Sequence, residues 1–495
     1  MLRRTFFLLF LFAGFISSCS TSLRNYTTNK KYSKTELQND FLFLKKVLEK
    51  KHPSLYWYTS KDSIDTKFNQ QYKFIKDSIT EESFCWQIVS PFVAQIKCGH
   101  TSVSMSKSFE KWSKKKKFAS FPLYLKIWND SMAVTASLIK NDSLFKRGTI
   151  IKSINGINAK GFQEKLFSCM SKDGNAESLN FIRTSSDFPY YYRSILGLSE
   201  QYKVEYIDSI GNTKSVDIPF YDPKGDTLKQ RKDSTKLKKS SEPKFKKNES
   251  YRSFVVDSTK QFATMRLNTF SKGRLRSFFR RSFRTMNRDH ISNLILDIRI
   301  NGGGNVSTST LLTKYIADSS FKIADTVFTK VNTLSPYTSH FQNKWLNNLQ
   351  FAIISRKKKD GLYHLSRYER KYYTVKKKNH FRGNVYVLIS GPTFSASCLF
   401  LNAVKGQQNV KLIGEETGGG SYGNSGIMIP DLILPNSKLR VRMPLYRIIQ
   451  HKHIAEKGRG IMPEIYVPTS YDAIKKGYDK KMQVAKEIIY KSILK

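Results

Sequence analysis

Leu37, Phe41, Leu44 and Leu48 recur at three- and four-residue intervals, and Phe68, Tyr72 and Ile75 repeat that spacing further on. Apolar positions with this period line one face of a helix, so a helical region is expected over 35–110, interrupted at His52-Pro53. Between 118 and 220 the pattern changes to short apolar runs at 121–127, 132–137, 149–154, 202–206 and 215–219, punctuated by Gly148, Gly156 and Gly211. These runs predict a small β-domain. Beyond residue 250, strand candidates at 262–267, 294–298 and 385–389 alternate with helical stretches such as 275–286. That order predicts an α/β core over 251–480 with a largely buried sheet. At the amino terminus, Arg3 and Arg4 precede an apolar run at 6–16 that falls short of the ~20 residues needed to span a bilayer and reads as a signal-peptide core.

Composition changes this picture in two ways. Hydrophobic residues make up 39% of the 495 positions, enough for sizeable cores, which excludes a wholly disordered chain. Lys and Arg number 85 against 39 Asp and Glu, a formal net charge of +46. The excess is dispersed in runs at 114–117, 356–359 and 376–378 and in the segment 222–250, which holds ten Lys or Arg, five Asp or Glu and little that is apolar. Such runs read as solvated faces, and 222–250 as a basic linker. No zinc finger or RNA-recognition module accompanies them, so no nucleic-acid partner is expected.

The apolar run ends in Ile16-Ser17-Ser18-Cys19, which resembles the lipobox of bacterial lipoproteins. The resemblance implies a signal peptide over 1–18, lipidation of Cys19 and a polar tether over 19–34. Several acyl chains on one residue hold a protein on a membrane essentially permanently. The expected location is therefore the bacterial cell envelope, lipid-anchored and facing the periplasm, with the outer membrane favoured. Export would expose Cys85, Cys98, Cys169 and Cys398 to an oxidising compartment, where pairing is open. Within the β-domain, residues 145–157 place a turn Gly148 before a strand and an Asn155-Gly156 turn after it, which resembles a PDZ domain. Such domains add an extended peptide to a sheet edge and often capture its terminal carboxylate.

Candidate chemistry concentrates in a few places. Residues 294–304 run from an apolar strand into Asn301-Gly302-Gly303-Gly304, where glycines let backbone N–H groups converge on an anion; no Lys-Ser/Thr follows, which disfavours a phosphate loop. Residues 385–398 give a second strand, a sharp turn and a helix that begins among Ser395, Ser397 and Cys398. A Ser on such a turn is exposed above the sheet with the next N–H pointing the same way; the competing reading is a helix cap.

Together these segments resemble the tail-specific, or carboxyl-terminal processing, serine peptidase family, whose wider kin include the tricorn core protease and a retinoid-binding protein of the photoreceptor matrix. The likeness is best over 262–312 and 383–426. It implies an α/β (α+β multidomain) architecture: a helical amino-terminal region, a PDZ-like domain and a ClpP/crotonase-like peptidase core. It also implies Ser395 as nucleophile, an oxyanion hole from the N–H groups of Ala396 and Gly303, and peptide or protein substrates recognised by a carboxyl-terminal tail; no cofactor is expected, and no metal, because no carboxylate or thiol stands at ligand spacing beside His451 and His453. Position 420, where processing proteases carry a general-base Lys, is Gly here. The tricorn-like branch instead uses a His from before the PDZ region, and Gly99-His100-Thr101 resembles that element. A neutral imidazole can take the serine proton at pH 7. The branch orients its His with a Glu near the end of the core, which maps to Glu456, and Ser102 is a further candidate helper. Two other readings stay open: a catalytically inactive binding protein on the same scaffold, since Cys398 replaces a family Glu, and an envelope adaptor working through its basic surface.

Overall fold

The computed structural model describes residues 26–27, 30–225, 248–343, 351, 354–452 and 456–494. The signal segment 1–18, the lipidation site Cys19, part of the tether 19–34 and most of the linker 222–250 lie outside the described residues. No helix among the described residues is long and apolar enough to cross a membrane.

Helix α1 (Lys34–Lys51) begins at Ser33 with a capping box, the Ser33 N–H donating to Glu36 Oε2 at 2.9 Å and Ser33 Oγ accepting from the Glu36 N–H. Two otherwise unpaired donors are satisfied at once, which fixes where the helix starts. Its predicted stripe of Leu37, Phe41, Leu44 and Leu48 is fully buried. Helix α2 (Lys61–Lys73) stacks Phe68 on Phe41 with ring centroids 4.6 Å apart. The chain then reaches strand β1 (Ser102–Ser104). The helical region forms no separate core: its buried residues, from Tyr32 to Met105, join one apolar cluster with core residues as distant as Ile461. Short amphipathic helices have one apolar face each, and here the α/β core covers it. The expected tether also gives way early, because Tyr32 is already buried in this cluster.

The β-domain has a core of its own. Strands β2 (Leu123–Trp128), β3 (Ser131–Ser137) and β4 (Ile150–Ile154), followed after helices α3 (Ala159–Phe167) and α4 (Ser178–Ser186) by β5 (Gln201–Ile207) and β6 (Thr213–Pro219), pair antiparallel in chain order. The Asn155-Gly156 turn takes φ of 49° and 75°, with Ile154 and Ile157 exchanging both backbone bonds, as a tight hairpin turn needs. Helix α4 lies along the open edge of β2, and Ser185 Oγ accepts the Ile127 N–H at 3.0 Å.

The core sheet contains β7 (Arg252–Val256), β8 (Ala263–Leu267), β9 (Asn293–Asp297), β10 (Asn384–Ile389) and β11 (Val410–Gly414), with helix α5 (Leu275–Arg288) between β8 and β9 and helix α6 (Ala396–Val404) between β10 and β11. After the short strands β12 (Asp431–Ile433) and β13 (Arg440–Arg442), β14 (Ile465–Tyr466) completes it, and helix α7 (Lys480–Ile493) ends the fold. The sheet order is β14-β11-β10-β9-β8-β7, all parallel except β7. Side chains alternate across it. Leu294, Leu296, Val385 and Val387 face the main core, while Ile295, Tyr386, Leu388 and Ile413 face Ala485 and Ile489 of α7.

The carboxyl end of β9 is clamped. Arg299 donates to both oxygens of Asp297, at 2.9 and 2.7 Å, and to both of Asp479, each at 2.7 Å, so the strand end is tied to the start of α7. The Arg299 side chain is only one-fifth exposed. Arg299→Met would leave the nearly buried Asp297 unpaired while water solvates the half-exposed Asp479, so it is expected to lower unfolding free energy by about 2 kcal/mol, read as a reduced urea midpoint.

Candidate functional site

Three turns meet at the carboxyl ends of the adjacent parallel strands β9, β10 and β11, where ligand sites of open α/β sheets form. The turn after β10 carries Ser395 at φ 57° and ψ −118°, a strained conformation for a side-chain-bearing residue. The strain is held from below: Asn301 O accepts the Phe394 N–H at 3.0 Å and the Ser397 hydroxyl at 3.0 Å. The two serines therefore separate. Ser397 is fully buried and tied down, whereas Ser395 is partly exposed and makes no capping bond although it precedes α6. The Ala396 N–H opens that helix, in the first turn, where no intrahelical acceptor exists.

Gly303 approaches this elbow so closely that a Cβ on it would lie 2.7 Å from Phe394 O, 2.8 Å from Ser395 Cβ and 2.9 Å from the Ala396 nitrogen; its φ is +94°. Its N–H donates to Asn301 Oδ1 at 2.9 Å, so in this structure the second expected oxyanion donor is held by a side chain. Asn301 is fully buried, and its Nδ2 has no partner. On the other side, a Cβ on Gly419 would sit 2.6 Å from Cys398 Sγ and 3.1 Å from the Ser395 nitrogen. Cys398 is buried beneath that turn with Sγ 3.5 Å from Gly419 O, and burial pushes its thiol up to about 12. It is a packing group. The four described cysteines are all free.

His100 reaches the core by strand pairing. Just after it, β1 pairs antiparallel with β13, Ser102 opposite Arg442 and Ser104 opposite Arg440, in a sheet with β12. The imidazole is buried with its ring centroid 4.8 Å from that of Phe394, the residue before Ser395. Burial, with Arg442 and Arg183 nearby, pushes it down to about 3, so it is neutral over the physiological range. Its Nδ1 is buried without a partner. The expected orienting residue Glu456 does not supply one: it is exposed on the surface with Arg459 as its electrostatic neighbour, while the imidazole lies inside. Ser102 stands in β1, partly buried, opposite Arg442.

Two residues that sequence reasoning missed support this arrangement. His52 accepts the Ser54 N–H at Nδ1, 3.1 Å, which leaves Nε2 as donor to Thr101 Oγ1 at 2.8 Å, so a neutral imidazole braces the residue after His100. Asp173, from the link between α3 and α4, accepts the Gly99 N–H at 2.6 Å and the Gly420 N–H at 3.3 Å. Position 420 thus serves as a backbone anchor. The signal for His52 was a His-Pro break, and for Asp173 an Asp-Gly turn; neither pattern discloses its distant partner.

A family model described as peptidase family S41 matches residues 261–467, a span that holds Ser395, Gly303 and the glycine turn and leaves out His100. No curated protein matches the chain. Among solved structures, mature CPAF complexed with lactacystin is 14% identical, with 92% of this chain and 98% of that one covered and a TM-score of 0.61. Mature CPAF alone is also 14% identical, covering 92% and 96%, at a TM-score of 0.61. At that identity the likeness establishes the fold, along nearly the whole of both chains. Residues 261–467, which carry the strained serine elbow and the glycine turns that seat it, match peptidase family S41, and that match supports a serine-type peptidase.

Proposed function

We propose that this chain is a membrane-anchored endopeptidase of the tail-specific type that hydrolyses exported proteins in the bacterial envelope, with Ser395 as nucleophile and His100 as base. The observation that carries the reading is the strained, uncapped Ser395 turn with a buried neutral imidazole against Phe394. In this mechanism Ser395 Oγ forms a bond to the scissile carbonyl carbon while His100 takes the hydroxyl proton. Collapse of the tetrahedral intermediate breaks the C–N bond, and His100 returns the proton to the leaving amine. Water then attacks the acyl carbon as His100 takes its proton, and the ester C–O bond to Ser395 breaks as His100 returns that proton to Oγ. The Ala396 N–H stabilises the oxyanion, joined by the Gly303 N–H once Asn301 releases it. The β-domain would hold the substrate's carboxyl-terminal tail, and lipidated Cys19 would keep the enzyme at the membrane.

A second reading is favoured by specific observations. The Gly303 N–H is already engaged and His100 Nδ1 lacks an acceptor, as a binding protein on this scaffold would tolerate. A fluorophosphonate probe separates the two. Covalent labelling of the native chain that is lost in Ser395→Ala supports the peptidase; absence of Ser395-dependent labelling favours the binding protein.

A further inference from the structure

We propose that Asp173 is the positioning residue of this site: its two carboxylate oxygens hold the Gly99 and Gly420 amides and so set the His100 loop and the glycine turn against the Ser395 elbow. The inference rests on the reading of Ser395 and His100 given above, and adds a residue to which that reading assigns no part.

Asp173 is only 2% exposed and belongs to the β-domain by sequence, yet it is spliced into the core. The Gly174 N–H donates to Lys97 O at 2.9 Å, the Asn175 N–H to Gly458 O at 2.8 Å, and Lys97 Nζ to Asn175 Oδ1 at 3.0 Å. A Cβ on Gly99 would meet Phe394 Cζ at 2.5 Å and Asp173 Oδ1 at 3.1 Å, so the backbone just before His100 is wedged between this carboxyl and the residue before the nucleophile. On the far side, Gly420 follows Gly419, which packs against Cys398 and the Ser395 nitrogen. One side chain thus ties three parts of the chain, separated by 74 and 247 residues, around one hydroxyl.

The clamp needs two acceptor oxygens, and only the ionised carboxylate offers both without a proton between them. Burial raises the Asp173 carboxyl to about 7, with the Gly99 and Gly420 amides offsetting part of the rise. The groups facing it are Arg183 on α4, Tyr58 and Cys98 from the amino-terminal region and Cys398 on α6. Tyr58 and both thiols are raised by burial and stay neutral near pH 7, and Arg183 stays cationic, so Asp173 is the member of this group that changes charge there. Protonation occupies one oxygen and loosens one of the two amides.

The test uses the full chain and the rate constant for labelling of Ser395 by a fluorophosphonate, followed from pH 8 to pH 5. In the native chain the rate is expected to fall about tenfold as pH drops through 7 and then to level off, because His100 remains a neutral base far below that. Asp173→Asn, a neutral isostere of the protonated acid, is expected to be flat at the lower level. Amide hydrogen exchange read by mass spectrometry over 97–101 and 418–421 is expected to quicken in Asp173→Asn and to stay native in Ser395→Ala. A limb that runs to zero and persists in Asp173→Asn would mean a titrating base and overturn the proposal, as would unchanged exchange. If the native chain takes no label, the nucleophile reading fails, and the exchange measurement alone decides the clamp.

Discussion

Ser395→Ala is expected to lower kcat/KM on an unfolded protein substrate by at least about 10⁴-fold, His100→Ala by a comparable factor, and the double variant by no more than the worse single one. A serine hydroxyl is a poor nucleophile unless its proton leaves as the new bond forms, so removing either the oxygen or the acceptor stops the same step. His100 meets the first requirement of a base, because burial holds it neutral. The same burial makes it reluctant to become an imidazolium. Against an ordinary pKa near 6.5, a value of about 3 corresponds to roughly 5 kcal/mol of added cost for the protonated form, at ~1.4 kcal/mol per unit. Substrate binding must therefore supply His100 with a partner for Nδ1 or a more polar surrounding. A stopped assay with fluorescein-labelled casein, run on all three variants, checks the cycle. Multiplicative losses would mean that the two residues act independently, and a His100→Ala chain with more than a tenth of native activity would remove the imidazole from the mechanism.

Much of this architecture is legible in the sequence because it is written in local periods. The stripe from Leu37 to Leu48 and the five runs of the β-domain each correspond to an observed element, since a period of three to four or of two decides which residues can share a buried face. The same logic located α5, whose buried Leu275, Phe278, Phe279 and Phe283 follow the helical spacing. Helices α3 and α4 inside the β-domain were not anticipated. Each is only nine residues long: Ala159, Phe162, Leu166 and Phe167 of α3 do follow a helical spacing, but over little more than two turns, and the buried face of α4 mixes Leu179 with Asn180 and Thr184.

The site was legible only where its geometry is local. Ser395 and Gly303 sit on turns whose small residues announce a sharp bend or close approach. What joins them to His100 is a three-residue strand paired with one more than 300 positions later, and no pattern within three residues can specify such a partner. Asp173 is hidden for the same reason: both its bonds go to backbone amides, which have no sequence identity at all. Glu456 shows the converse failure. It was only the nearest match to an expected place in the chain, and position along a loop does not determine burial: the carboxylate faces solvent while the imidazole it was to orient lies inside.

Gly303→Ala is the second large effect expected, a loss of about 10²- to 10³-fold in kcat, the range associated with losing one oxyanion donor. The added methyl group would fall within 2.9 Å of Phe394 O, Ser395 Cβ and the Ala396 nitrogen at once, and two of those three are backbone atoms that cannot swing aside. Alanine is also disfavoured at φ +94°. The elbow must move, and the Ala396 N–H moves with it, whichever second donor completes the hole. Gly302→Ala provides the control: a Cβ there meets nothing within 4 Å, so its activity is expected to stay within about twofold of native, as for a surface substitution with no contact to lose. Comparing Ser395 labelling rates with urea midpoints for the two variants separates a displaced elbow from a loosened fold. Equal labelling by Gly303→Ala and the native chain would show that the oxyanion is stabilised somewhere other than at this turn.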